Sequence, residues 1–124
     1  MNKLEYTFEI SGPYSPVLQM RIAKNTEIIG DIEIITCWLM MDVKGYTPIL
    51  DYIDAVLNAE KEEDLIWGNG YKVFVKPDIT EIHFNYEGDD PSIKPCYLPT
   101  SMLREIVEIW LREYRNFKEE QHLN

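Results

Sequence analysis

The feature that most constrains the fold of this chain is a strict two-residue alternation at its start. Leu4, Tyr6, Phe8 and Ile10 share one parity, and Glu5, Thr7, Glu9 and Ser11 share the other. Side chains at i and i+2 lie on one face of an extended chain, so the pattern predicts a strand with a dry face and a wet face. Gly12, Pro13 and Pro16 then supply turn chemistry, and Leu18, Met20 and Ile22 resume the alternation with Gln19 and Arg21 outward. Two half-buried strands so closely joined predict a hairpin, the habit of antiparallel sheets.

Further along, the patterns diversify. Residues 32–41 are apolar on both parities, with Ile34, Trp38 and Met40 on one and Ile35, Cys37 and Leu39 on the other. That reads as a strand covered on both faces, by a helix or by an oligomer contact. Thr47 followed by Pro48 is a helix start, and Ile49, Leu50, Ile53, Val56 and Leu57 form an apolar stripe at helical spacing. Asn69-Gly70 between two apolar runs is a hairpin signal, because both residues tolerate positive φ. Tyr71, Val73 and Val75 are expected to face the core, as are Ile82, Phe84 and Tyr86, opposite a wet row of Glu81, His83, Asn85 and Glu87. A loop follows, with a short edge strand near Tyr97. From Thr100 or Ser101 a long helix presents Leu103, Ile106, Val107, Trp110, Tyr114 and Phe117 on one face. The expected fold is α+β: one domain over 1–124, an antiparallel sheet of about five or six strands, and two amphipathic helices on one face.

The charge excludes several functions. The formal net charge is −10, and residues 51–90 hold eleven acids against three bases. Such a chain repels nucleic acid and anionic membranes and attracts basic partners within the screened field. Neither expected helix carries a cationic polar face, which argues against membrane binding. No apolar run approaches the length of a membrane span and the start lacks a signal-peptide core, so the cytoplasm is the expected compartment. Cys37 and Cys96 fall in no metal or redox spacing, and no cofactor is expected.

The stretch 81–90, EIHFNYEGDD, holds one of the two histidines. Period-two spacing puts Glu81, His83 and Asn85 on one side of one strand, the geometry of a solvated sheet face. A general acid or base needs a pocket that shifts its pKa, and a metal needs three or four converging ligands. Gly68-Asn69-Gly70 opens a strand rather than a helix, so it lacks the arrangement of a phosphate loop. Two acidic segments remain, Glu60, Glu62, Glu63 and Asp64 in one and Glu87, Asp89 and Asp90 in the other. If both emerge at one end of the sheet they form a single negative patch beside Trp67; otherwise they are two solvated loops.

The short strands around WGNGYKVFV and ITEIHFNYE, followed by LPTSMLREIVEIWLREY, resemble in layout the small immunity proteins of bacterial contact-dependent inhibition and other polymorphic toxin systems. The resemblance covers roughly the second half of the chain. It implies a cytoplasmic, non-enzymatic protein that blocks a cognate toxin domain, in many cases a basic nuclease, by occluding its active surface; a monomer is the favoured state. The residues expected to meet that partner are Glu60, Glu62, Glu63, Asp64, Trp67, Glu81, His83, Glu87, Asp89 and Asp90, with Trp67, Tyr71 or Tyr97 as anchors if exposed. Two alternatives stand beside it: a homo-oligomer built through the two-sided strand at 32–41, and a small hydrolase using His83.

Overall fold

The structure, a computed structural model, describes residues 3–85 and 94–123. In chain order the elements are β1 (Tyr6–Ser11), β2 (Val17–Ile22), β3 (Ile29–Gly30), α1 (Glu33–Trp38), a π-helical turn (Leu39–Val43), α2 (Ile49–Leu57), β4 (Asp64–Trp67), β5 (Tyr71–Val75), β6 (Ile79–Phe84), β7 (Cys96–Pro99) and α3 (Thr100–Leu123). The fold is α+β, as the patterning predicts. β1 and β2 form a two-stranded sheet, and the other strands form a five-stranded antiparallel sheet in the order β3-β7-β6-β5-β4. Tyr71, Val73 and Val75 on β5, Ile82 on β6, and Cys96 and Leu98 on β7 join one core with Leu103, Ile106, Val107 and Trp110 of α3.

The alternation at the start marks a hairpin with the register Tyr6↔Ile22 through Ser11↔Val17. Its inward row is dry on β2, where Leu18, Met20 and Ile22 are buried, but not on β1, where Tyr6 and Ile10 are exposed. β1 is paired on one side only, so its apolar row runs off the edge of the core.

The main correction concerns residues 32–41, which form a helix and the π turn rather than a strand. Under a helical period, Ile34, Ile35, Trp38 and Leu39 cluster on one buried stripe, and Thr36 is buried on the other side with its hydroxyl donating to Met20 O at 2.7 Å. The helix touches β2 on one flank and β6 on the other, so apolar residues on both parities reflect a helix enclosed between two sheets. Asp31 sets its start: its carboxylate accepts from Glu33 N–H (3.0 Å) and its carbonyl from Ile34 N–H (3.1 Å). The strand invoked for an oligomer contact is therefore absent, and Leu39 lies in the core with no exposed surface.

The π turn closes when Lys44 N–H donates to Leu39 O at 2.8 Å, five residues back. Lys44 then adopts φ 49°, ψ −119°, a conformation costly for a side chain with a Cβ. The buried Trp110 indole holds it there, donating from Nε1 to Lys44 O at 2.7 Å. The N-cap of α2 is Pro48 rather than Thr47, with no side-chain cap, and the Thr47 carbonyl accepts from Leu50 N–H. Arg104 on α3 clamps α2 through Asp54 (Nε to Oδ1 2.6 Å, Nη2 to Oδ2 3.3 Å). Thr100, the first residue of α3, is buried and bonded to Thr80 Oγ1 and to Lys76 O. The expected edge strand near Tyr97 is β7, an interior strand flanked by β3 and β6. Burial there pushes the Cys96 thiol up to about 12.

α2 ends in a Schellman arrangement: Glu60 N–H donates to Ala55 O (2.8 Å) and Ala59 N–H to Val56 O (3.1 Å), with Ala59 at φ 61°. Glycine holds this left-handed position without the steric cost that Ala59 bears. Ala59→Gly is expected to raise stability by about 0.5–1 kcal/mol in urea unfolding at unchanged m-value. A neutral or lowered midpoint would mean that the turn is not strained.

Candidate functional site

The turn joining β4 to β5 is held from two sides. Asp42, carried by the π turn, accepts from Gly70 N–H at Oδ1 (3.1 Å) and from Tyr71 N–H at Oδ2 (2.9 Å). From the end of β6, Asn85 Nδ2 donates to Gly68 O (3.0 Å) and Asn69 O (3.3 Å), and its N–H donates to Gly70 O (2.8 Å). Gly68 N–H closes the turn on Tyr71 O at 2.9 Å. The hairpin expected from Asn69-Gly70 is present, but neither residue takes a positive φ. The glycine at 68 is needed for space, since a Cβ there would stand 2.2 Å from Asp42 Oδ2. Asn85 is therefore no member of a wet row. Its Oδ1 is buried and has no hydrogen-bond partner among the described residues.

The clamp leaves a groove of about 450 Å³ along β4, between that strand, the π turn and α2. Trp38, Val43 and Ile49 give it an apolar floor, and Tyr46, Tyr52 and Trp67 stand around it. The Tyr46 and Tyr52 hydroxyls lie 2.8 Å apart, a bond that pushes the Tyr46 pKa up. Trp67 is 67% exposed, and Lys72 Nζ sits 5.9 Å from its ring centroid. Two carboxylates, Asp42 and Asp64, also line the groove, and Lys61 Nζ lies 3.5 Å from Asp64 Oδ2.

β4 is the last strand of its sheet. The Gly68–Tyr71 hydrogen bond fixes the phase of the ladder, and antiparallel pairs alternate between bonded and unbonded. The peptide groups of Ile66 therefore face β5, while Trp67 N–H and C=O and Leu65 C=O face away, along the groove. Asp64 Oδ1 accepts the Leu65 N–H at 2.9 Å.

The outer sheet face carries a second group of residues. Ile29, Tyr97, Glu81, Phe74 and Leu65 form one cross-strand row, and His83, Lys72 and Trp67 form the next. The expected solvated face is thus half apolar. His83 stacks edge-on against Phe74 at 5.3 Å and Tyr97 at 6.5 Å, and its Nε2 lies 3.2 Å from Glu81 Oε1. Glu81 also accepts from Lys76 at 3.0 Å, and these two bonds, Lys76 first, hold its carboxyl below the ordinary range. The surrounding depression of about 370 Å³ is shallow and mixed in charge. Among the described residues no three His, Cys, Asp or Glu side chains converge to hold a metal.

Of the residues expected at a contact, Asp64 and Trp67 line the groove. Glu60, Glu62 and Glu63 are exposed on the turn that enters it. Glu81 and His83 lie two strands away on the outer face, and Glu87, Asp89 and Asp90 lie outside the described residues. Asp64 pairs with Val75, which pairs with Thr80 at the start of β6, whereas the second acidic segment follows the far end of β6. Tyr71 is buried and cannot serve as an exposed anchor; Tyr97 is half-buried. Asp42, Tyr46, Tyr52 and Lys61 were not expected here, because the π turn that brings the first two to the groove has no periodic signature.

No helix among the described residues is long and apolar enough to cross a membrane. Compared with models of protein families, with curated proteins and with solved structures, the chain matches none.

Removing the Asp42 carboxylate orphans two amide donors in a partly buried turn, so Asp42→Ala is expected to cost about 2–4 kcal/mol in urea unfolding. A loss below about 0.5 kcal/mol would mean that the clamp carries no weight. Because the Glu81 pKa is lowered on folding, its contribution is present above the unfolded carboxylate pKa and fades as pH falls through the folded value. Glu81→Gln should flatten the acid limb of stability against pH by less than about 1 kcal/mol, and an unchanged limb would contradict the pairing.

Proposed function

We propose that this chain is an immunity-type binding protein that neutralises a basic partner domain by stoichiometric occlusion, and that the groove beside β4 is central to the contact. The observation that carries the reading is the open edge of β4. Three exposed aromatic side chains lie there together with the acids of residues 60–64, and among the described strands none pairs with the outward peptide groups of β4. Solvated proteins ordinarily blunt such an edge or cover it, and exposed Trp and Tyr at a concave site are the commonest anchors of protein interfaces.

Electrostatics favours a basic partner. The net charge of −10 steers cationic surfaces toward the protein and raises the association rate at low salt, while the aromatic groove supplies desolvated contact that charge alone does not. Repulsion between two copies at this charge weighs against self-association through the same edge. Among the described residues His83 meets Glu81 on an open face rather than in a closed pocket, which gives catalysis little support.

The test is co-expression with the protein encoded immediately upstream. The expected result is a 1:1 complex by light scattering and restored growth of cells expressing the upstream protein. Failure of the pair to associate, or continued arrest of growth, would remove the reading.

A further inference from the structure

We infer that the groove beside β4 receives a lysine or arginine side chain, borne on an extended segment of the basic partner, and that Lys61 holds its place in the free chain. The inference rests on the binding reading above and adds the occupant.

The walls select a cation. The faces of aromatic rings attract positive charge through their quadrupoles, and the exposed Tyr46 and Tyr52 rings stand beside the groove, while the Trp67 ring is met by Lys72 on the outer face. Asp64 completes the environment from the strand edge. Its partner Lys61 is weakly held: the contact is 3.5 Å long and the Lys61 side chain is 55% exposed. An ammonium so loosely paired gains little from its position, so a partner's cation held between the rings and Asp64 displaces it at small cost. An acidic ligand meets Glu60, Glu62 and Glu63 beside the groove, and a second copy of the chain brings the same negative charge.

The backbone selects an extended segment. Trp67 N–H and C=O and Leu65 C=O run along the groove with the spacing that an added strand pairs with, and strand addition takes its specificity from pockets for alternate side chains. Asp42 holds the Gly70 and Tyr71 amides and Asn85 holds the Gly68 carbonyl, so the end of the edge is preorganised and little ordering cost falls on binding.

The experiment titrates the intact protein with acetylated, amidated pentapeptides Thr-Val-Arg-Val-Thr and Thr-Val-Gln-Val-Thr, read by amide and indole NMR shifts. The arginine peptide should give saturable shifts at the Trp67 indole and the Trp67 and Gly68 amides, with the glutamine peptide about fivefold weaker or more. Lys61→Gln should tighten arginine-peptide binding by about threefold, and Asp64→Asn, which keeps the oxygen that caps Leu65 N–H, should weaken it by about fivefold. Amide spectra away from the groove report that both variants stay folded. Equal binding of the two peptides, shifts centred on Phe74 and His83, no effect of Lys61→Gln, or no saturation in the low-millimolar range would each overturn the inference. Neutralisation of the upstream protein without arginine selectivity would leave the binding reading standing and this one fallen. Arginine-selective binding without neutralisation would do the reverse.

Discussion

Two amide hydrogens on one carboxylate tie this molecule together. Asp42 sits on the π turn at the end of the enclosed helix, and the Gly70 and Tyr71 N–H groups that it accepts belong to the β4–β5 turn. The bond therefore joins the helical layer to the five-stranded sheet near its free edge, where interstrand bonds no longer do so. It depends on its neighbours in turn. Gly68 must lack a Cβ for the carboxylate to approach, and Trp110 must hold Lys44 in an unfavourable conformation for the chain to leave the π turn in the right direction. A side chain from the last helix thus sets the geometry of a turn far away in sequence, and the groove is what remains between them.

The legible part of the fold was whatever obeys one period. The β5 row of Tyr71, Val73 and Val75, the inward row of β2 and the long stripe of α3 are regular, amphipathic and in contact with one core, and each reads directly from its spacing. The helix at 33–38 did not, because it is enclosed on both sides. An element buried all round loses the polar face that distinguishes a period of 3.6 from one of 2, and its β-branched isoleucines favour the wrong choice. The Asn69-Gly70 turn was found for a reason that does not hold: the turn is stabilised by a distant carboxylate rather than by left-handed residues.

The candidate site divides in the same way. Trp67 and Asp64 were visible as an exposed aromatic and an acidic run, since both are local properties of one strand. Tyr46, Tyr52 and Asp42 reach the groove through the π turn and the start of α2, and no local pattern announces that meeting. His83, on β6, lies on the outer face between Phe74 and Tyr97 and away from the groove. Charge sharpens the contrast. The outer face mixes Lys72 and Lys76 with Glu81, whereas the acids of 60–64 flank the groove, so the two surfaces suit different partners.

The groove requires a turn that is locked beside a strand edge that is not. Amide hydrogen exchange of the free protein, resolved by residue under native conditions, reads both at once. Gly70 and Tyr71 should exchange slowly, on the scale of Val73 in the strand interior, while Trp67, two residues before the turn's centre, exchanges fast because its N–H faces the groove. Fast exchange at Gly70 and Tyr71, or a Trp67 amide as slow as that of Val73, would contradict it.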